Sequence, residues 1–249
     1  MKETTNQFPS EEVTLPSKGL LYPQDSPLSK GIIEMKYMTA REEDILTNQN
    51  FIENGTVIDK LLKSLIVTSI DYNDLLLGDK NAVLVAARIL GYGKDYTFNF
   101  NGEEKTIDLT EIKDSELDES LIKEGKNEFD FELPTSKISV TFKLLTHGDE
   151  QAIDREIKGL KRINKNTSAS LSTRMKYVIT SVNGDYDTKT IRNFVDNQLL
   201  ARDSRELRNY IAKIQPNVDL TFEYESKNGD LKKSTIPVGL NFFWPDAEL

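Results

Sequence analysis

Asp79-Lys80-Asn81-Ala82-Val83-Leu84-Val85-Ala86-Ala87-Arg88-Ile89-Leu90-Gly91-Tyr92-Gly93 leads almost directly into Tyr96-Thr97-Phe98-Asn99-Phe100-Asn101-Gly102, and the change of period between the two stretches decides the fold class. In the first, Ala82, Val83, Ala86, Ala87, Ile89 and Leu90 recur at helical spacing, with Asp79 as an expected N-cap and Gly91 and Gly93 as the stop. In the second, apolar and polar residues alternate up to Asn101-Gly102 and resume over Lys105–Leu109. That is a β-hairpin, because a tight hairpin turn needs positive φ at both central residues and Asn-Gly supplies it. Helix followed by antiparallel hairpin within one short span points to α+β.

The same alternation of helix and hairpin extends in both directions. Upstream, Thr39-Ala40-Arg41-Glu42 is a capping box, followed by Glu43 and Asp44 at the favourable end of the helix dipole. Val57, Ile58, Leu61, Leu62, Leu65 and Ile66 form one apolar stripe, so residues 39–93 are predicted as three helices. Gly31–Tyr37 alternates as a strand. Before it, residues 1–12 are a loose polar lead and Val13–Pro23 an extended arm, since Pro16 and Pro23 exclude a helix interior. The arm is expected to dock on a partner through Leu20, Leu21 and Tyr22.

Downstream, Glu128–Leu133 and Ile138–Leu145 read as a second strand pair, and residues 111–128 as a solvated loop with a turn of helix. Helices are predicted over His147–Asn164, Leu171–Val182 and Thr188–Leu200, and a last one capped by Asp203 and stopped by Pro216. Val218–Tyr224 and Ser234–Leu240 alternate as strands around Asn228-Gly229. The expected organisation is an arm and first strand at 1–38, helices plus hairpins at 39–146, and helices plus a C-terminal hairpin at 147–249. No repeat of fixed short period is apparent, although the two helix-then-hairpin halves invite comparison.

The chain has 249 residues, 37% hydrophobic and 29% charged, enough apolar content to build a core. Its formal net charge of −9 argues against nucleic acid as main partner, because phosphate binding needs concentrated Lys and Arg. It has no cysteine, so neither a disulfide nor a Cys-ligated metal is available. No apolar run is long enough to span a bilayer, and Met1–Glu12 has no signal-peptide core. No cofactor is expected.

Catalytic motifs are sparse. Gly91-Tyr92-Gly93 ends a helix where a phosphate cradle must open one. His147 is the only histidine and is read as a capping or surface imidazole. The carboxylates of residues 103–132 are interleaved with Lys105, Lys113, Lys123 and Lys126 and lack the spacing of a calcium loop. Arg202, Arg205 and Arg208 are more informative. Three residues apart, they share a helix face and form either ordinary surface pairs with Asp203 and Glu206 or a docking face, since Arg is enriched at interface hot spots. Phe242, Phe243 and Trp244 are core filler or an exposed anchor; packing against the last hairpin is the preferred reading.

Three segments together resemble the baseplate hub proteins of T4-like contractile-tailed bacteriophages: Leu15-Pro16-Ser17-Lys18-Gly19 with Tyr22-Pro23; Met35–Leu46; and Ala201–Arg205 through Pro216–Phe222 to Phe242-Phe243-Trp244-Pro245. The family pattern often places cysteine pairs in the last hairpin, where this chain has Glu225–Asp230 without cysteine, so an Asn-Gly turn has to replace a metal. The resemblance implies a phage protein made in the bacterial cytoplasm that acts, without enzymatic activity, in assembling the central hub of the tail baseplate. Either it is an assembly factor that leaves, or it is a permanent hub subunit; a hydrolase of cell wall or peptide is the remote alternative. Its partners would be other baseplate hub proteins, with neither nucleic acid nor membrane, contacted through Leu20, Leu21, Tyr22, Arg202, Arg205 and Arg208. The oligomeric state is left open.

Overall fold

A computed structural model describes residues 9–163, 169–225 and 229–243. The fold is α+β, with helices and small antiparallel sheets around one continuous apolar core. Strand β1 (Ser10–Thr14) pairs with β2 (Ile32–Lys36), whose Ile33 and Met35 point into the core as their alternation requires. Helices α1 (Ala40–Leu46), α2 (Gln49–Glu53), α3 (Val57–Leu65) and α4 (Leu77–Tyr92) follow, then the hairpin β3 (Asp95–Phe100) and β4 (Glu103–Asp108). Asn101 and Gly102 have the positive φ values, 56° and 85°, that the hairpin turn demands.

Strands β5 (Phe129–Glu132), β6 (Ser139–Phe142) and β7 (Ile179–Val182) form the one sheet with more than a single pair among the described residues. Helices α5 (His147–Ile163) and α6 (Ser170–Val178) lie between β6 and β7; α7 (Thr188–Asn197) and α8 (Ala201–Ile214) follow. Strands β8 (Thr221–Glu225) and β9 (Leu231–Thr235) make the last hairpin, and a short α9 (Leu240–Phe243) ends the described chain. Phe242 and Phe243 are fully buried as core filler, but Phe242 meets Tyr96 of β3 and not the last hairpin expected from sequence; Trp244 and Asn228 lie outside the described residues.

Four sequence expectations are corrected. Residues 10–12, read as part of a loose lead, belong to β1. The helix predicted to continue to Val182 stops at Val178, because Ile179-Thr180-Ser181-Val182 is rich in β-branched residues and adds to the edge of β6. The segment 39–93 contains α1 to α4, broken at Thr47-Asn48 and Asn54–Thr56, where the expected first helix runs out of apolar stripe. The N-caps of α4 and α8 are Leu76 and Leu200; Asp79 and Asp203 each sit at the third helical position instead.

These last two residues reveal that the chain is built twice. Leu15-Pro16-Ser17 after β1 corresponds to Leu133-Pro134-Thr135 after β5, and Leu15 and Leu133 are both fully buried. Leu15 N–H donates to Gly31 O, and Leu133 N–H donates to Ile138 O, closing the same strand pair across loops of different length. Met35-Lys36-Tyr37-Met38-Thr39-Ala40-Arg41-Glu42 matches Phe142-Lys143-Leu144-Leu145-Thr146-His147-Gly148-Asp149 in place and in bonding. Lys36 Nζ lies 2.8 Å from Glu42 Oε1, and Lys143 Nζ lies 2.8 Å from Asp149 Oδ1. In each case the same carboxylate accepts from the preceding threonine amide, at 3.0 Å and 3.1 Å. Helices α3 and α6 both end at an extended isoleucine, Ile66 or Ile179, that pairs back to Met35 or Phe142. Then α4 and its hairpin match α8 and its hairpin.

The two hairpins seal the halves together. Phe98 and Phe100 of β3 meet Phe222 of β8 at centroid distances of 5.1 and 5.0 Å, Phe100 meets Tyr224 at 4.7 Å, and Tyr96 meets Phe242 at 4.8 Å, all edge to face. Such pairs add about 0.5–1.5 kcal/mol each beyond the area they bury. The connectors differ between halves: residues 93–94 join α4 to β3, whereas 215–220 join α8 to β8. The longer connector lies across α4, where a Cβ on Gly78 would stand 1.7 Å from the Pro216 carbonyl oxygen and Asn81 Nδ2 donates to Asn217 Oδ1 at 2.9 Å.

Within a helix, alanine normally gains up to about 1 kcal/mol over glycine. Gly78→Ala is expected to reverse that sign and lower the unfolding free energy by about 1–3 kcal/mol, because the connector has to move. Gly159→Ala in α5, with open space around its Cβ, is expected to stabilise. Urea unfolding midpoints of the two variants check both signs.

Candidate interaction surface

The arginine face of α8 is built on a buried carboxylate. Asp203 is fully buried, and its two oxygens accept the Thr135 and Ser136 amides at 2.7 and 3.0 Å, tying the α8 N-terminus to the turn between β5 and β6. Burial opposes ionisation, but these backbone donors outweigh it and hold the Asp203 carboxyl below its ordinary range. Occupied in this way, Asp203 does not form the surface pair with arginine that its position in the sequence suggested. Arg202, Arg205 and Arg208 are all exposed, and none of them forms an ion pair among the described residues. Arg208 Nε donates to the Ser204 carbonyl at 3.2 Å, which lays its side chain back along the helix. Glu206, the remaining carboxylate of α8, is half-buried. The three arginines are therefore presented to solvent from one helix whose start is fixed.

The other three candidate residues fall elsewhere. Leu21 and Tyr22 are 2% and 5% exposed, and Leu20 is half-buried. The arm folds onto its own chain: Tyr22 Oη donates to Asp79 Oδ2 at 2.6 Å and accepts the Leu76 amide at 2.9 Å, while Ser17 donates its amide and hydroxyl to Asp79 at 2.9 and 2.7 Å. Asp79 is thus the counterpart of Asp203 and is likewise fully buried. Burial leads and raises the Asp79 pKa, and Asp114 adds repulsion, against the lowering effect of Tyr22 and Ser17. The partner seen for Leu21 and Tyr22 is intramolecular. Pro16 and Pro23, which excluded a helix, instead bound a loop that returns over α4.

His147 is corrected as well. It is 2% exposed, neither capping nor superficial, and lies where the halves meet. Its Nδ1 is 3.1 Å from Lys80 Nζ, its Nε2 is 2.9 Å from Gln151 Nε2 and 3.4 Å from Asp59 Oδ2, and the Tyr72 ring stands edge-on at 4.6 Å. Burial and the Lys80 charge push its pKa down. Both ring nitrogens are engaged, and among the described residues no hydroxyl is bonded to either; the geometry is that of a structural junction. Among the described residues, no group of His, Asp and Glu could hold a metal ion, and no helix is long and apolar enough to cross a membrane.

The family model described as T4 bacteriophage base plate protein matches residues 12–244, nearly the whole chain. The chain belongs to that family. It is a phage baseplate protein, and other phage baseplate proteins are its implied interaction partners. Searches of curated proteins and of solved structures found no match.

The two buried aspartates are expected to respond differently to removal of charge. Asp203 receives two amides that cannot turn round, so Asp203→Asn opposes donor to donor and costs about 1.5–3 kcal/mol. Asp79→Asn costs less, because the Ser17 and Tyr22 hydroxyls can reorient to accept. The pH signs also oppose. With its pKa lowered on folding, Asp203 contributes stability above the ordinary carboxylate pKa and loses it as the pH falls, so the wild-type advantage over Asp203→Asn shrinks below about pH 4. With its pKa raised, Asp79 binds a proton more readily in the fold, and its advantage falls as the pH rises through that range. Denaturant unfolding at pH 7 and pH 3 separates the two.

Proposed function

We propose that this chain is a non-enzymatic assembly protein of the phage tail baseplate, acting in formation of the central hub as a factor that templates the meeting of its subunits and then leaves. The observation that carries the reading is the exposed Arg202, Arg205 and Arg208 face of α8, unpaired among the described residues, on a family member whose net charge is −9. A rigid cationic stripe on an otherwise acidic protein is a recognition element, because its charges are not needed for the fold. Holding a partner on a fixed face lowers the entropic cost of bringing it to a second subunit, and no bond need be made or broken. Leu20, half-buried on the arm, is the arm residue that remains partly open for contact; Leu21 and Tyr22 would act by fixing the arm in place. Synthesis and action in the host bacterial cytoplasm belong to the same proposal.

Quantitative mass spectrometry of purified particles beside infected-cell lysate tests it. The expected outcome is a chain abundant in lysate and absent from finished particles. A fixed ratio to other baseplate proteins in the particles would make it a permanent subunit instead.

A further inference from the structure

The duplication shows what the arginine face lacks. Counted from the helix start, Gly78, Asn81 and Leu84 of α4 occupy the positions of Arg202, Arg205 and Arg208 of α8. In the first half that face is covered by an extended segment: the Pro216 carbonyl lies against Gly78, and Asn217 bonds to Asn81. The covering strand is held from its other side too, with Ser115 N–H donating to Asn217 O at 2.7 Å and Asp219 N–H donating to Lys113 O at 2.8 Å. In the second half the equivalent face is exposed.

We infer that the Arg202, Arg205 and Arg208 face of α8 is the seat for an extended, carboxylate-bearing segment of another baseplate protein, running across α8 as residues 216–218 run across α4. This rests on the templating reading above and names the chemistry of the partner. Each substitution between the halves points the same way. A backbone can press against Gly78 because it has no side chain, whereas Arg202 at the matching position holds a chain off at the reach of a guanidinium. Asn81 offers a neutral amide, whereas Arg205 offers a charged fork that matches a carboxylate. Leu84 is partly buried against the core, whereas Arg208 is solvated.

Neither of the matching connectors of a second copy is a good occupant. Its own 216–218 segment is already enclosed between α4 and residues 113–115. The matching connector of its first half is only residues 93–94, and Lys94 would bring a like charge to the arginines. Charge complementarity and geometry together select a separate acidic chain.

The test uses the full chain in infected cells, supplied in place of the phage's own copy, with a photo-crosslinking amino acid substituted for Arg205 and the crosslinked peptide mapped by mass spectrometry. The expected product joins position 205 to a stretch of another baseplate protein rich in Asp or Glu. Crosslinks to a second copy, to an apolar or basic segment, or to nothing while phage still form would each overturn the inference. In parallel, the R202E/R205E/R208E variant is expected to lower phage yield at least about tenfold, with an unchanged urea midpoint because the three side chains are exposed. Charge reversal of the mapped carboxylates is expected to restore the yield. An unchanged yield with the folded triple variant would overturn the proposal. The particle measurement reads a separate question: an acidic partner mapped at position 205 together with a chain retained in particles would sink the leaving-factor reading and keep this one.

Discussion

Two buried carboxylates carry the architecture. An ion taken out of water costs several kcal/mol unless its oxygens are met by donors, so Asp79 and Asp203 dictate what must stand around them. Each is at the third position of a helix, where the dipole favours negative charge, and each collects donors from a turn that begins Leu-Pro-Ser or Leu-Pro-Thr, 62 to 68 residues earlier. A strand pair is thereby fastened to the start of the last long helix of each half. With that joint closed, the hairpin following the helix is aimed at its counterpart, and the aromatic rings between the hairpins complete the core.

The same joint explains which parts of the fold were legible in sequence. The Asn101-Gly102 hairpin, the Thr39–Glu42 capping box and the Val57–Leu65 stripe are encoded by neighbours within a few residues, and they form where the pattern places them. Asp79 and Asp203 also look like local signals, since a carboxylate beside a helix start suggests a cap. Their true partners, Ser17 and Tyr22 or Thr135 and Ser136, are distant in the chain, and nothing in the spacing discloses them. The arm was misplaced for the same reason: an apolar segment between prolines shows that it will be covered, but not by what. His147 is a third case, because its burial depends on Asp59, Tyr72 and Lys80 arriving from the other half.

The duplication was hidden by insertions, not by divergence at the joints. Where the second half turns tightly at residues 134–137, the first carries residues 16–30, and where the first has a two-helix step through α1 and α2, the second has the single long α5. No fixed period survives such changes. The residues that do persist are those with bonding obligations: the Lys-to-carboxylate pair at the first helix of each half, the threonine before it, and the aspartate of α4 or α8. Of the six candidate contact residues, the three arginines share one helix face by their spacing, and that face is exposed. The burial of the arm residues was not legible, since it is decided by the rest of the chain.

Duplication also makes asymmetry meaningful. If both halves were finished alike, the connector after each helix would lie across its neighbour, and the molecule would present no distinguished face. Here the long connector 215–220 closes the surface of α4, whereas the short connector 93–94 closes nothing comparable. The first half is therefore completed from within the chain. The second half is left with an anchored helix, a turn fixed by Asp203, and three charges that the fold itself does not consume. Rigidity matters to that arrangement as much as charge does. A stripe on a frayed helix would spend much of its attraction on ordering itself, but α8 is already held at its start by two charge-assisted bonds and along its inner side by Leu207 and Ile214. What remains for a partner is the cost of its own ordering, and an extended segment laid on a fixed face bears that cost once.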